Sequence, residues 1–530
     1  MPEIESDIQG ELTMHVRRNQ IFSVLFFVLL LFAVSGCAGI QESKRISEPT
    51  QVCILFFNDL HGHLLPFEVR GEAGQREVGG ISRMAALIKE VRAENSINHV
   101  HTLVLVAGDI LQGTPMSTVF QGEPDVLCLN AMGIDAMAVG NHEFDFGMAN
   151  FLKLKAQAYF PFLSANIVKQ NDGQLLCPSH ATFPLNTNLS FTVIGVTTRS
   201  LLTTTRPDNV ASLKVLDSVT SVSQVYDSVK DQGPVLLLSH SRHQTDRDIA
   251  TALPDLAAII GGHDQILLSP YRNVGRVPVF QAFEKGRYLG RIDFSIDAST
   301  KRAKLIGHTY IPVTADIPPE PEVETIVNSY HAKLGNRFRE VIGQSATFMD
   351  GERDRIRYEE TGLGNFITDI MVTYTGARIG LINSGAIRSS IKKGPVTVED
   401  VFRVMPYENE LVMMDLTGAE IEQAMNRSVS ASREEEDGGF LHVSGIFFDV
   451  KDHLAKNICV GKNRVPLSSR TIYRVVLTDF LASGGDGHET FKDKPLIKTG
   501  LPLRELMVDT IKAGGVIHAE TEGRIRRLER

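Results

Sequence analysis

The chain has 530 residues, more than one hydrophobic core usually serves, so at least two folded domains are expected. Apolar and charged fractions of 43% and 22% are those of an ordinary folded protein. A formal net charge of −9, with no basic stripe to offset it, argues against nucleic acid as a partner.

Arg17-Arg18 precede an apolar run from Ile21 to Val34, short for a bilayer span and right for a signal-peptide core. The run closes on Val34-Ser35-Gly36-Cys37-Ala38, which resembles the lipobox of bacterial lipoproteins. The resemblance implies a signal peptide over 1–37, lipidation at Cys37 and membrane attachment. Residues 38–50 then form a polar tether. An uncleaved N-terminal anchor is the alternative, and Met14 is a second candidate start. Either way the catalytic part is expected outside the cytoplasm, periplasmic or at the cell surface. Cys53, Cys128, Cys177 and Cys459 are scattered, with no metal-type spacing. Cys53 and Cys128 sit in apolar settings that suit buried thiols.

Val52 to Phe57 is a continuous apolar run, the pattern of a central strand covered on both faces. It ends in Asn58-Asp59-Leu60-His61-Gly62-His63, where Asp59 and His61 alternate and can face one side. Gly79 to Arg92 reads as an amphipathic helix. Leu103 to Ala107 is a buried strand ending in Gly108-Asp109. A helix over Asp125 to Met132 follows, then a strand, Asp135 to Val139, that opens into Gly140-Asn141-His142-Glu143-Phe144-Asp145. Val235 to Leu238 ends in Ser239-His240-Ser241-Arg242-His243, and Ala257 to Ile260 ends in Gly261-Gly262-His263-Asp264-Gln265. This strand–helix alternation predicts βαβ units around a central sheet.

Five strand ends therefore carry Asp59 and His61, Asp109, Asn141 and His142, His240, and His263 with Gln265. A single histidine at such an end is usually just a satisfied polar residue. Five in succession, at the edge where open α/β sheets bind ligands, point to a pocket. Oxygen and nitrogen ligands without thiolate suit Zn²⁺, Mn²⁺ or Fe²⁺. A carboxylate can bridge two such ions about 3.5–4 Å apart, a pair suited to in-line displacement at phosphorus.

Pro312, Pro318, Pro319 and Pro321 punctuate the end of this region near residue 315. Glu322 to Val341 reads as a linker helix over 316–341, with Val323, Ile326, Val327 and Tyr330 on one stripe. In the remainder, 342–530, Arg353 and Arg357 precede Gly362-Leu363-Gly364-Asn365, which opens a helix. Asn383-Ser384-Gly385-Ala386-Ile387-Arg388 ends the strand Ile379 to Ile382, and Phe480 to Gly487 follows the strand Tyr473 to Leu477. Guanidinium forks suit phosphate, and aromatic faces suit a nucleobase.

The series Asp-x-His, Gly-Asp, Gly-Asn-His-Glu, His and Gly-Gly-His-x-Gln resembles the calcineurin-like metallophosphoesterases. Gly-Asn-His-Glu-Phe-Asp and the spacing resemble the 5′-nucleotidase/UDP-sugar hydrolase family in particular, from about residue 51 to the C-terminus. The resemblance implies an α/β chain of two domains. The first is a four-layer αββα metallophosphoesterase domain over 51–315; the second is a nucleotide-binding α/β domain over 342–530. It implies one metal on Asp59, His61, Asp109 and Gln265, and a second on Asp109, Asn141, His240 and His263. His142 would face the phosphate, oriented by Asp145, with His63, Glu143 and His243 as neighbours that support the ligands. Tyr407 and Phe480 would sandwich the base and Asp486 would bind ribose hydroxyls. Asn383, Arg388, Arg357 and Arg353 would meet phosphate or sugar. Relatives often carry Phe where Tyr407 stands, and Glu408-Asn409 replaces the small residues expected after it.

The activity implied is release of phosphate from nucleoside 5′-monophosphates, with UDP-sugars as further substrates. Rival enzymes on the same scaffold are a 2′,3′-cyclic-nucleotide phosphodiesterase/3′-nucleotidase and a thiosulfohydrolase, which a substrate panel separates. A rival of another class is a nucleotide-binding surface lipoprotein with a vestigial metal site, which an assay with and without chelator separates.

Overall fold

The computed structural model describes residues 49–71 and 74–528. The expectations for the signal run, Cys37 and most of the tether lie outside the described residues. No described helix is long and apolar enough to cross a membrane.

The apolar run at the start of the described chain becomes the strand Thr50–Phe57, in the middle of a six-stranded sheet. It pairs in parallel with His101–Val106 and antiparallel with Tyr288–Asp297. The period of two decides what each residue meets. Val52, Ile54 and Phe56 face inward to a second six-stranded sheet, against Phe191, Leu236, Leu238 and Ile260. Cys53, Leu55 and Phe57 face outward, under the helices Ile81–Ile97 and Glu123–Met132. The second sheet carries Leu189–Thr197, Val235–His240 and Ala258–Gly261 side by side in parallel. Its outer face lies under the helices Ser218–Val229 and His243–Ala252. Helix, sheet, sheet, helix make the four layers. Strands covered on both faces explain why the sequence shows runs rather than alternation.

The helix expected over Glu322 to Val341 stops earlier, spanning Pro321–Leu334. Gly335, at φ 73°, ends it, and a 3₁₀ turn over Asn336–Arg339 leads to the strand Val341–Ser345. Val323, Val327 and Tyr330 are buried against the core of the first half. Tyr330 Oη also donates to Glu123 at 2.5 Å.

The second half has its own cores on the two faces of a five-stranded sheet. Its order is Leu441–Ser444, Ile379–Asn383, Ile472–Thr478, Glu410–Thr417 and Ile497–Pro502. Helices Gly362–Thr375 and Leu503–Gly514 cover one face; Gly418–Ser428 covers the other. Cys53, Cys128, Cys177 and Cys459 are all free thiols, the first two fully buried as expected.

Candidate active site

Where the strands of the first half end, the backbone turns sharply. Asp59 (φ 50°), His61 (48°), Asp109 (52°), His263 (71°) and Gln265 (58°) all lie in the left-handed region. Each such non-glycine residue costs on the order of 1–3 kcal/mol and persists only where its surroundings over-determine it. Here they do. Asp59 N donates to Gly108 O at 3.0 Å and His61 N to Asp109 O at 3.1 Å, stitching two strand ends together. Gly108 is needed at its place, since a Cβ there would lie 2.6 Å from His240 Nδ1.

Asp109 is the hub. Its Oδ2 is 3.0 Å from His240 Nε2 and 3.9 Å from His142 Nε2, and its Oδ1 accepts from His142 N at 2.9 Å. Donor atoms of His61, Asp109 and His142 fall within 4.8 Å of one another, as do those of Asp109, His240 and His263. Asp59 Oδ2 accepts from Asn58 Nδ2 (2.7 Å) and His263 N (2.9 Å). Gln265 Nε2 and Arg388 Nη2 lie 2.7 and 3.2 Å from His61 Nε2. His240 Nδ1 donates to Ala107 O at 2.7 Å, which leaves Nε2 turned toward Asp109.

Electrostatics follow from burial and from Asp109. Burial opposes charge on Asp109, yet His240 and His142 outweigh it and hold the carboxyl well below its usual range. Burial likewise opposes charge on His240, but Asp109 carries its imidazole up to about 10. Burial raises Asp59 to about 6. His142 Nδ1 meets Asp145 Oδ2 at 2.7 Å. Against the penalty of burial, Asp145 and then Asp109 raise the His142 imidazole above its ordinary value.

The second half closes over this hub. A cavity of about 290 Å³ is lined by Asp109, Asn141, His142, Asp145, His263 and Gln265 from the first half. From the second come Arg353, Arg357, Asn383, Arg388, Tyr407, Phe480 and Asp486. Tyr407 stacks on His142 with ring centroids 6.1 Å apart. Phe480 is the second residue of the short helix Asp479–Ala482, and its ring lies where a side chain on Gly485 would stand. Asn383 Nδ2 donates to Asp486 Oδ2 at 2.8 Å.

A calcineurin-like phosphoesterase model matches residues 53–266, and a 5′-nucleotidase C-terminal domain model matches 341–493. The chain belongs to the 5′-nucleotidase family of calcineurin-like metallophosphoesterases. It is 26% identical to a 5′-nucleotidase of Vibrio cholerae, over 95% of this chain and 98% of that protein. It is 28% identical to the trifunctional nucleotide phosphoesterase protein YfkN of Bacillus subtilis. That match takes in 90% of this chain but spans only about a third (35%) of that protein's length. The solved 5′-nucleotidase precursor of Thermus thermophilus superposes with a TM-score of 0.81 at 29% identity, covering 91% of this chain and 100% of that one. This family member is a hydrolase of phosphoesters, and calcineurin-like phosphoesterases use divalent metals.

The residues present fit such ions. Asp59 Oδ1 and Asn141 Oδ1 are buried with no hydrogen-bond partner. Such orphans cost on the order of 1–3 kcal/mol each unless a ligand meets them. The donors are carboxylate, amide and imidazole, with no thiolate among the described residues of these groups.

All the expected metal residues converge, with Asp59, His61 and His240 fully buried around the hub. The three supporting neighbours part company. Glu143, 1% exposed, accepts from Asp109 N (3.0 Å), Ile110 N (2.9 Å) and Gly140 N (2.6 Å). It therefore fixes the two loops that carry the hub. His63 turns away, its Nδ1 meeting His61 O at 2.8 Å, and lines a separate small cavity. His243 is half exposed and pairs with Asp264 at 3.1 Å. Arg242, Arg427 and Asp437 also line the main cavity, yet in the sequence they read as ordinary surface charges and carried no signal. Thr205 Oγ1 donates to Asn141 O, and Asn209 Nδ2 to Asp145 O, so a polar segment around residues 200–209 buttresses the Asn141–Asp145 loop.

Proposed function

We propose that this family member is an exported, dinuclear-metal phosphohydrolase that releases phosphate from nucleoside 5′-monophosphates, with UDP-sugars as further candidate substrates. The observation that supports this most is one cavity, walled on one side by the Asp109 hub and on the other by arginines and two aromatic rings. One metal would rest on Asp59, His61, Asp109 and Gln265, the other on Asp109, Asn141, His240 and His263. Zn²⁺, Mn²⁺ and Fe²⁺ all suit these donors. When bound, such ions supply Lewis-acid neutralisation of phosphoryl charge and an activated water.

The chain's own groups do the rest. Asp145 fixes the ring of His142, whose Nε2 is left free to donate to a phosphoryl oxygen as negative charge develops there. Arg388, with a guanidinium nitrogen 3.2 Å from His61 Nε2, would fork the phosphate beside the residues that would hold the ions. Tyr407 and Phe480 would hold the base, and Asp486, tied to Asn383, the ribose. The lipid anchor at Cys37 belongs to the same proposal; active Cys37→Ser protein in the soluble fraction would support it, and retention in the membrane would count against it.

The experiment is phosphate release across a panel of 5′-, 3′- and cyclic nucleotides, UDP-glucose and an aryl phosphate, with and without chelator, alongside metal analysis. Chelator-sensitive release, greatest from 5′-monophosphates, is the expected result. Preference for a cyclic nucleotide would replace this reading with the phosphodiesterase one.

A further inference from the structure

The arginines that face the cavity are not free. Residues 433–435 form a 3₁₀ turn closed by Ser432 N donating to Glu435 Oε2, and Glu436 follows in the left-handed region at φ 43°. That bend delivers the segment to three guanidinium groups. Arg353 Nε donates to Glu436 Oε2 at 2.6 Å and Arg357 Nη1 to Glu436 O at 2.8 Å. Arg242, from the first half, donates to Glu435 O at 2.9 Å. Burial and the like charges of Arg353 and Arg388 push the Arg357 guanidinium well below its ordinary value, so the cluster is short of counter-charge. Glu436 supplies it, in a pair whose side chains are only 21% and 23% exposed.

We propose that Glu436 is a specificity-determining residue that makes the cleft prefer one phosphoryl group over two. This rests on the nucleotide reading of the cleft. A monophosphate can be held by Arg357 and Arg388 with the Arg353–Glu436 pair intact. A second phosphoryl group has to take Arg353 from Glu436, or lie beside a carboxylate of the same sign. The carboxylate thus penalises each added negative charge, which is discrimination by a repulsive element. The left-handed backbone is a cost borne at a functional position, and glycine would relieve it.

The test is steady-state kinetics on the metal-loaded protein with a nucleoside monophosphate and the diphosphate of the same base. Wild type is compared with Glu436→Gln and Glu436→Gly, the second keeping the bend and the carbonyl contact. Both substitutions are expected to lower the diphosphate KM by roughly three- to ten-fold relative to the monophosphate KM, the scale of one partly screened charge. The difference should shrink as salt is raised. Arg388→Ala is the control on the underlying reading and should raise the monophosphate KM. If it does so while neither Glu436 variant shifts the ratio, the specificity role is overturned. If Arg388→Ala leaves the monophosphate KM unmoved, the nucleotide reading fails and the inference falls with it.

Discussion

The two walls of the cavity are built on different terms. The wall from the first half consists of strand-end residues that are nearly all buried, several in left-handed backbone, with Asp59 and His61 tied by main-chain hydrogen bonds to Gly108 and Asp109 at another strand end. The wall from the second half consists of longer side chains: arginines paired to an acidic turn and two partly exposed rings. The first would serve as a fixed cage for small, highly charged ions, where a shift of an ångström would matter. The second is a cleft whose ion pairs, on the inference above, would exchange a protein carboxylate for a substrate phosphate. On the function proposed above, chemistry belongs to the rigid wall and choice of substrate to the adjustable one.

Substitutions in the two walls should therefore fail differently. Asp109→Ala removes the hub and should abolish phosphohydrolase activity and bound metal while the circular-dichroism spectrum stays folded. Full metal content with near wild-type turnover would break the comparison at its root. His142→Asn should lower kcat by roughly 10²-fold or more with little change in KM, since a donor used in the transition state is lost. An effect on KM alone would move His142 from the chemical wall to the binding one. Phe480→Ala should reduce kcat/KM for nucleoside monophosphates by about ten- to a hundred-fold, the value of one base–aromatic stack. Hydrolysis of a small aryl phosphate should be nearly unaffected. Equal losses on both substrates would mean that Phe480 serves as core.

Stability should also respond to pH with opposite signs at two pairs of buried groups, one pair in each half. In the first, burial raises Asp125 and Asp246 to about 7. A carboxyl whose folded value lies above its unfolded one favours the fold when protonated, and that contribution is lost as pH rises from about 4 through 7. In the second, burial lowers His442 and His488 to about 4. Those imidazoles favour the fold when neutral, and the contribution is lost as pH falls from about 6.5 through 4. Each group is worth on the order of 3–4 kcal/mol at the unfavourable extreme. Thermal unfolding of Asp125→Asn should show a gain over wild type at pH 8 that vanishes at pH 4.5, and His442→Gln should flatten the acid limb. Identical pH profiles for wild type and both variants would contradict the assignment.

Much of the rigid wall was legible in the sequence. Apolar runs that end in Asp, Asn or His register both the strand and its polar terminus, because a strand covered on both faces leaves no other place for charge. The helices were placed less well at their ends. The linker helix read through Gly335 because its charged pattern continued beyond the residue that stops it. Glu143 was legible only as a neighbour, since nothing local shows that a carboxylate will gather three backbone N–H groups from two loops. Glu436 was not legible at all. Within Glu434-Glu435-Glu436-Asp437 it reads as solvated charge, and only the fold brings Arg353, 83 positions away, within reach.

The left-handed residues of the cage carry one more consequence. Their positions rest on strand ends and on hydrogen bonds between protein atoms, which should hold the mould before any metal enters it. Unlike a zinc finger, which unfolds without its metal, this protein should survive dialysis against a chelator and accept a different ion afterwards. Affinity alone ranks divalent ions in much the same order at any such nitrogen–oxygen site. The ion found in protein harvested from cells is then a record of supply in the compartment where it was loaded, and reconstitution with a series of single ions is the way to learn which one the enzyme works best with.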